Sequence, residues 1–183
     1  DLVSLLEGLA PAKTGLDAGK HYFYRMDKAL TGDYFQHVKA FTRDMETLVG
    51  EYFIANDKSC VFRRFPEDGN IELLEGTTEK LLKKVEIYRA GAIIPLKGKG
   101  KVLIRVPGNL PYDLTLTSLT ENVATIQEEN GQLSITGNAR GYADILAEVE
   151  IGGFVKTQKL RFVVMDERDI AAYEARQTYV PVY

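Results

Sequence analysis

Few side chains in this chain have the types and spacing for covalent or metal chemistry: two histidines, His21 and His37, and one cysteine, Cys60. A metal site needs several ligands converging at set spacing, and neither HxH nor HExxH occurs, so both histidines read as structural. A cysteine nucleophile requires Cys60 beside His37 or His21, with an orienting amide. Cys60 instead sits within SCVFRRF, a β-rich run, whereas reactive thiolates favour helix N-termini and electropositive clefts. It reads as a small, buried strand residue. No GxSxG, Walker loop or dinucleotide GxGxxG is present, and the GKGK run at 98–101 lacks strand–helix context. The pairs Glu128-Glu129, Glu148/Glu150 and Glu67-Asp68 are dispersed over turns and strand faces, and no DxDxD-type calcium loop occurs. The expectation is a non-enzyme with no cofactor and no metal.

Aromatics and arginines carry the remaining chemistry. Tyr22, Phe23 and Tyr24 form one cluster; Tyr52, Phe53, Phe62 and Phe65 form another. A small domain must bury most of these rings. Arg63 and Arg64 follow directly on Phe62, and their planar guanidinium groups suit carboxylate-bearing or glycan ligands. Tyr52, Phe53, Phe62, Arg63 and Arg64 are therefore the candidate binding residues, for a glycan or protein ligand. Side-chain alternation along a strand would send the two arginines in opposite directions.

The elements that must position these residues follow from periodicity and punctuation. Leu2, Leu5, Leu6 and Leu9 predict a short helix, ended by Pro11 and Gly15. Tyr34, Val38, Phe41, Met45 and Leu48 are spaced four, three, four and three apart, which predicts an amphipathic helix over 33–49. Thr31 or Asp33 would cap it, and Gly50 would end it. Two β-rich runs at 51–55 and 59–65 flank Asn56-Asp57-Lys58, a hairpin turn. A turn at 66–69 leads to a strand at 70–74. A helix laid on a small antiparallel meander makes residues 1–78 an α+β unit. Residues 77–82 form a polar connector, with Leu81, Leu82 and Val85 as anchors.

Beyond it, strands are expected at 84–88, 101–106, 113–118, 123–128, 132–136, 142–151 and 156–165. Turn chemistry at Gly98/Gly100, Pro107-Gly108-Asn109, Asn130-Gly131 and Gly152-Gly153 separates them. Seven short strands with turns every 8–12 residues describe a β-sandwich. A short helix capped by Asp166 and an extended tail complete residues 166–183, with Pro181 keeping the tail out of a sheet interior.

The stretch 82–165 resembles the group 2 family of bacterial immunoglobulin-like domains. Leu114-Thr115-Leu116-Thr117-Ser118 looks like one family strand and Val123-Ala124-Thr125-Ile126 like the next. Asn130-Gly131 matches the family turn, Leu133 and Ile135 the following strand, and Gly141, Ala143, Ile145 and Ala147 the entry to another. Leu116 stands where the family prefers Trp, in a chain that has no Trp. Alternation and the Asn-Gly and Gly punctuation place Leu116, Ile126, Leu133 and Ile145 in the sandwich core, and the resemblance implies an Ig-like fold acting as a rigid spacer or docking module. It also implies an exported, extracellular or envelope protein with an adhesion or ligand-binding role; the alternative is the accessory substrate-binding region of a cell-surface hydrolase. Residues 1–78 resemble no family.

Composition bounds these readings. At 45% hydrophobic and 27% charged residues the chain is an ordinary globular one with material for a core. Its net charge of −3 provides no basic excess for a phosphate backbone, which argues against nucleic acid as the partner. No apolar run approaches the ~18–20 residues of a membrane-spanning helix. The opening DLVSLLEGLAPAKTG shows no basic start and long apolar run, so no signal sequence is expected here. A single cysteine forms no internal disulfide.

Overall fold

The computed structural model describes residues 2–27 and 34–178. The proposed caps Thr31 and Asp33 and residues 179–183 of the expected tail lie outside the described residues. Antiparallel sheets dominate, and the chain forms two compact units. The first comprises Asp1–Glu86, Arg105–Asp113 and Glu150–Lys156; the second comprises Ile87–Ile104, Leu114–Val149 and Thr157–Tyr183.

The first unit opens with two short helices, α1 (Leu2–Glu7) and α2 (Pro11–Thr14). A five-stranded antiparallel meander follows: β1 (Phe23–Met26), β2 (Phe35–Phe41), β3 (Leu48–Ala55), β4 (Cys60–Arg64) and β5 (Ile71–Gly76), paired in chain order. Helix α3 (Glu79–Lys84) occupies the stretch expected to be a connector and buries Leu81. Register assigns the faces, because directly opposed residues project to the same side. Val38, Tyr52 and Arg63 are aligned, as are His37, Phe53 and Phe62. On the Tyr52 side, Val38, Ala40, Ile54, Val61 and Leu74 pack with Leu6 and Leu16 from the N-terminal segment. On the Phe53 side, the segments 105–113 and 150–156 come close. A Cβ on Gly108 would lie 2.7 Å from Phe35, and one on Gly152 would lie 2.8 Å from Phe62. Both glycines have positive φ, 66° and 58°, so these contacts need glycine twice over. Lys156 Nζ donates to the carbonyls of Leu82 and Val85 at 2.9 and 2.6 Å, satisfying acceptors at the end of α3.

The helix expected over 33–49 does not form. Residues 35–49 are β2, a tight turn and the start of β3. Thr42 N donates to Thr47 O at 2.9 Å, Thr47 N to Thr42 Oγ1 at 3.2 Å, and Glu46 N to Asp44 Oδ1 at 3.0 Å. Met45 sits at the turn with φ 65°; it is 57% exposed and Leu48 is 41% exposed. The helical spacing arose because both faces of β2 are covered. Phe35 and His37 fill one side while Val38 and Ala40 fill the other, which erases the apolar–polar alternation by which a strand is recognised.

Two larger sheets supply most of the second unit, the ends of some of their strands belonging to the first. One has the order β10 (Asp113–Ser118), β13 (Gly141–Ile151), β14 (Phe154–Met165) and β7 (Ile93–Pro95), with β7 parallel to β14. The other has the order β11 (Ala124–Glu129), β12 (Gln132–Gly137) and β8 (Lys99–Gly100). A small pair joins β6 (Glu86–Arg89) and β9 (Val102–Arg105). Alternate residues of β13, Ala143, Ile145, Ala147 and Val149, are buried along with Phe162 and Val164 of β14 and Ile94 of β7. The two sheets meet where a Cβ on Gly137 would lie 2.8 Å from Val164 and 3.1 Å from Ile94. This arrangement is consistent with a β-sandwich. Asn130 (φ 52°) and Gly131 (φ 77°) close the β11–β12 hairpin as a two-residue turn with positive φ at both positions. Leu116, Ile135 and Ile145 are buried, whereas Ile126 and Leu133 are half-buried toward the hairpin end.

Strands β7 and β8 had no counterpart in the sequence reading: three residues ending in Pro95 and two in a glycine-rich run carry no periodicity. Helix α4 (Glu167–Thr178) starts as expected, with Asp169 N donating to Asp166 Oδ1 at 2.8 Å. Among the described residues no helix is long and apolar enough to cross a membrane.

Candidate functional site

The five candidate binding residues do not share a surface. Tyr52, Phe53 and Phe62 are buried on β3 and β4, Tyr52 on one sheet face and the two phenylalanines on the other. The Tyr52 hydroxyl donates to Thr14 O at 2.5 Å, and burial pushes its pKa up to about 12. Phe53 stacks on His37 with ring centroids 4.6 Å apart. These rings are core because a five-stranded sheet covered on both faces needs large apolar side chains on each. Arg63 is likewise committed. Its Nη1 donates to Lys13 O at 3.3 Å, its guanidinium lies 4.9 Å from the centre of the Phe65 ring, and a Cβ on Gly15 would come within 2.6 Å of it.

Arg64 projects to the opposite face and lines a cleft of about 500 Å³ in the first unit. Around it stand Asp68, Asn70, Tyr112, Asp113 and Glu150. The turn beneath Arg64 is fixed by Asn70 N donating to Asp68 Oδ1 at 2.9 Å and by Gly69 N donating to Phe65 O at 2.9 Å. Tyr112 is 43% exposed. Among the described residues the Arg64 guanidinium has no hydrogen-bond or ion-pair partner, and it lines the cleft with its donors available to a ligand. Three carboxylates against one guanidinium make this wall acceptor-rich. Sequence reasoning found Arg64 but missed Tyr112, Asp113 and Glu150. The available signal was Tyr112, a large aromatic between the Pro107-Gly108-Asn109 turn and the strand expected from residue 113.

A second cleft of about 370 Å³ lies in the same unit, lined by Leu6, Leu9, His21, Tyr22 and Tyr24 among others. Its polar groups are largely used internally: the Tyr22 hydroxyl accepts from Asp17 N at 2.8 Å, and Lys20 pairs with Asp17 at 2.9 Å. Burial, followed by the charge of Glu7, pushes Tyr24 up to about 12.

His37 and Cys60 have different surroundings. The His37 ring is fully enclosed; Nε2 lies 3.2 Å from Glu51 Oε2, and Nδ1 lies 3.8 Å from Asp27 Oδ2 without a hydrogen-bond partner. The two carboxylates lie against different ring nitrogens, at opposite edges of the ring. Among the described residues no group of three or more His, Cys, Asp and Glu side chains could hold a metal ion. Cys60 is buried, and burial pushes its thiol up to about 11. No protein-family model matches this chain, and no curated protein matches it.

Proposed function

We propose that this chain is a non-enzymatic binding protein of the bacterial envelope or cell surface, whose ligand site is the Arg64–Tyr112 cleft and whose ligand is a glycan. The observation that carries this reading is the open guanidinium of Arg64 in a cleft that also presents an exposed tyrosine ring. Sugars are bound by fork-shaped donors and carboxylate acceptors that take adjacent hydroxyls, with an aromatic face against the C–H side of the ring. The excess of carboxylates favours neutral or amino sugars over acidic ones. The second unit is read as an Ig-like spacer of the group 2 bacterial type. Support comes from its sheet orders, the parallel edge strand β7 beside β14, and the Asn130-Gly131 hairpin. The assignment to an exported compartment rests on that resemblance, and fractionation of cells making the full gene product tests it.

A glycan array with wild type, Arg64→Ala and Tyr112→Ala tests the site. The expected result is binding of a neutral or amino sugar that falls at least tenfold in each variant. Binding unchanged in both variants, or binding confined to peptides on a parallel array, overturns the glycan reading.

A further inference from the structure

We propose that His37 is a proton-operated latch on the first strand of the meander: taking up a proton at Nδ1 transfers the Asp27 carboxylate from Lys39 to the His37 ring. The geometry defines both states. With a neutral ring, the one ring proton sits on Nε2 and is donated to Glu51 Oε2 at 3.2 Å, leaving the bare Nδ1 facing Asp27 Oδ2 at 3.8 Å. Asp27 meanwhile pairs with Lys39 Nζ at 3.5 Å. Among the described residues the facing charged groups are Asp27, at the end of β1, Glu51 on β3 and Lys39 on β2 itself, each no more than a quarter exposed.

These three sum to −1 while the ring is neutral and to zero with an imidazolium. A second N–H would give each carboxylate its own charge-assisted bond, with Asp27 Oδ2 closing from 3.8 Å to the ~2.8 Å of such a bond. The backbone is already in place, because Asp27 N donates to His37 O at 2.9 Å. Protonation thus fastens the end of β1 to β2 through a side chain as well as the ladder and frees Lys39.

The enclosed ring resists charging: burial lowers its pKa, while Glu51 and Asp27 pull it back up. The latch therefore works on the acid side of the ordinary histidine value. Because the folded-state pKa lies below the unfolded one, the unfolded chain takes the proton first. The contribution of His37 to stability is complete above the unfolded value and is lost as pH falls through the folded one.

The test is ¹⁵N-imidazole NMR of the intact protein through a pH titration, with Asp27→Asn and Lys39→Gln. The expected result is an Nε2–H tautomer at neutral pH and a single protonation below the ordinary histidine range. Its midpoint should move down in Asp27→Asn and up in Lys39→Gln. An Nδ1–H tautomer at neutral pH, or midpoints unmoved in the variants, overturns the proposal. Should Asp27→Asn fail to fold, the tautomer of wild type and the shift in Lys39→Gln still decide.

Discussion

Removing one oxygen from the core of the first unit tests how the N-terminal segment is held. The Tyr52 ring is fully buried among Val38, Ile54, Val61 and Leu16, and its hydroxyl donates to the carbonyl of Thr14, the last residue of α2. A helix of four residues has no stability of its own and leaves its terminal carbonyls without internal partners. In Tyr52→Phe the ring still fills its space, so no cavity term arises. What is lost is one buried hydrogen bond, and Thr14 O is left unpaired, at a cost of ~1–3 kcal/mol. That lowers the folding constant roughly 5- to 150-fold, since about 1.4 kcal/mol is a factor of ten. The assay is urea unfolding followed by circular dichroism, with Tyr22→Phe as the control. The Tyr22 hydroxyl accepts from Asp17 N at an exposed position where water can replace it. The control should stay within ~0.5 kcal/mol of wild type, as surface changes do, and the slopes must agree for the midpoints to report stability. A Tyr52→Phe protein as stable as Tyr22→Phe would refute the argument that this hydroxyl anchors α2.

Two further outcomes follow from burial. Cys60, with its thiol near 11, should be only ~3 parts in 10,000 thiolate at pH 7.5, so a neutral-pH thiol reagent should label the folded protein slowly and the urea-unfolded protein fast; rapid stoichiometric labelling of the native state would revive a reactive role. Leu116→Ala should destabilise the second unit by ~2–5 kcal/mol in chemical denaturation, and a change below ~1 kcal/mol would place Leu116 outside the core.

Local chemistry was enough for much of the second unit. Turn residues such as Asn130-Gly131 act through φ preferences that belong to the residues themselves, and the alternation in 141–151 survives because only one side of β13 is buried along most of its length. Asp166 likewise capped its helix through a contact three residues away. The divergence of Arg63 and Arg64 was legible in the same way, from strand alternation alone. Residues 33–49 were not legible, because whether Phe35 and Val38 share a helix face or occupy opposite sheet faces depends on what covers the second face. That cover includes Gly108, 73 residues from Phe35 in sequence, and Gly152, 90 residues from Phe62. Burial of Tyr52, Phe53 and Phe62 was decided by the same packing, which left Arg64 alone of the five candidates lining an open cleft. Tyr112, Asp113 and Glu150 meet Arg64 only because the folded chain brings three distant segments together, and the His37 cluster is likewise assembled from β2, β3 and the end of β1. Sequence carries the turns and strand periods because they are set by neighbours a few residues apart; the cleft and the buried histidine are set by which surfaces exclude water together, and that is a property of the tertiary structure.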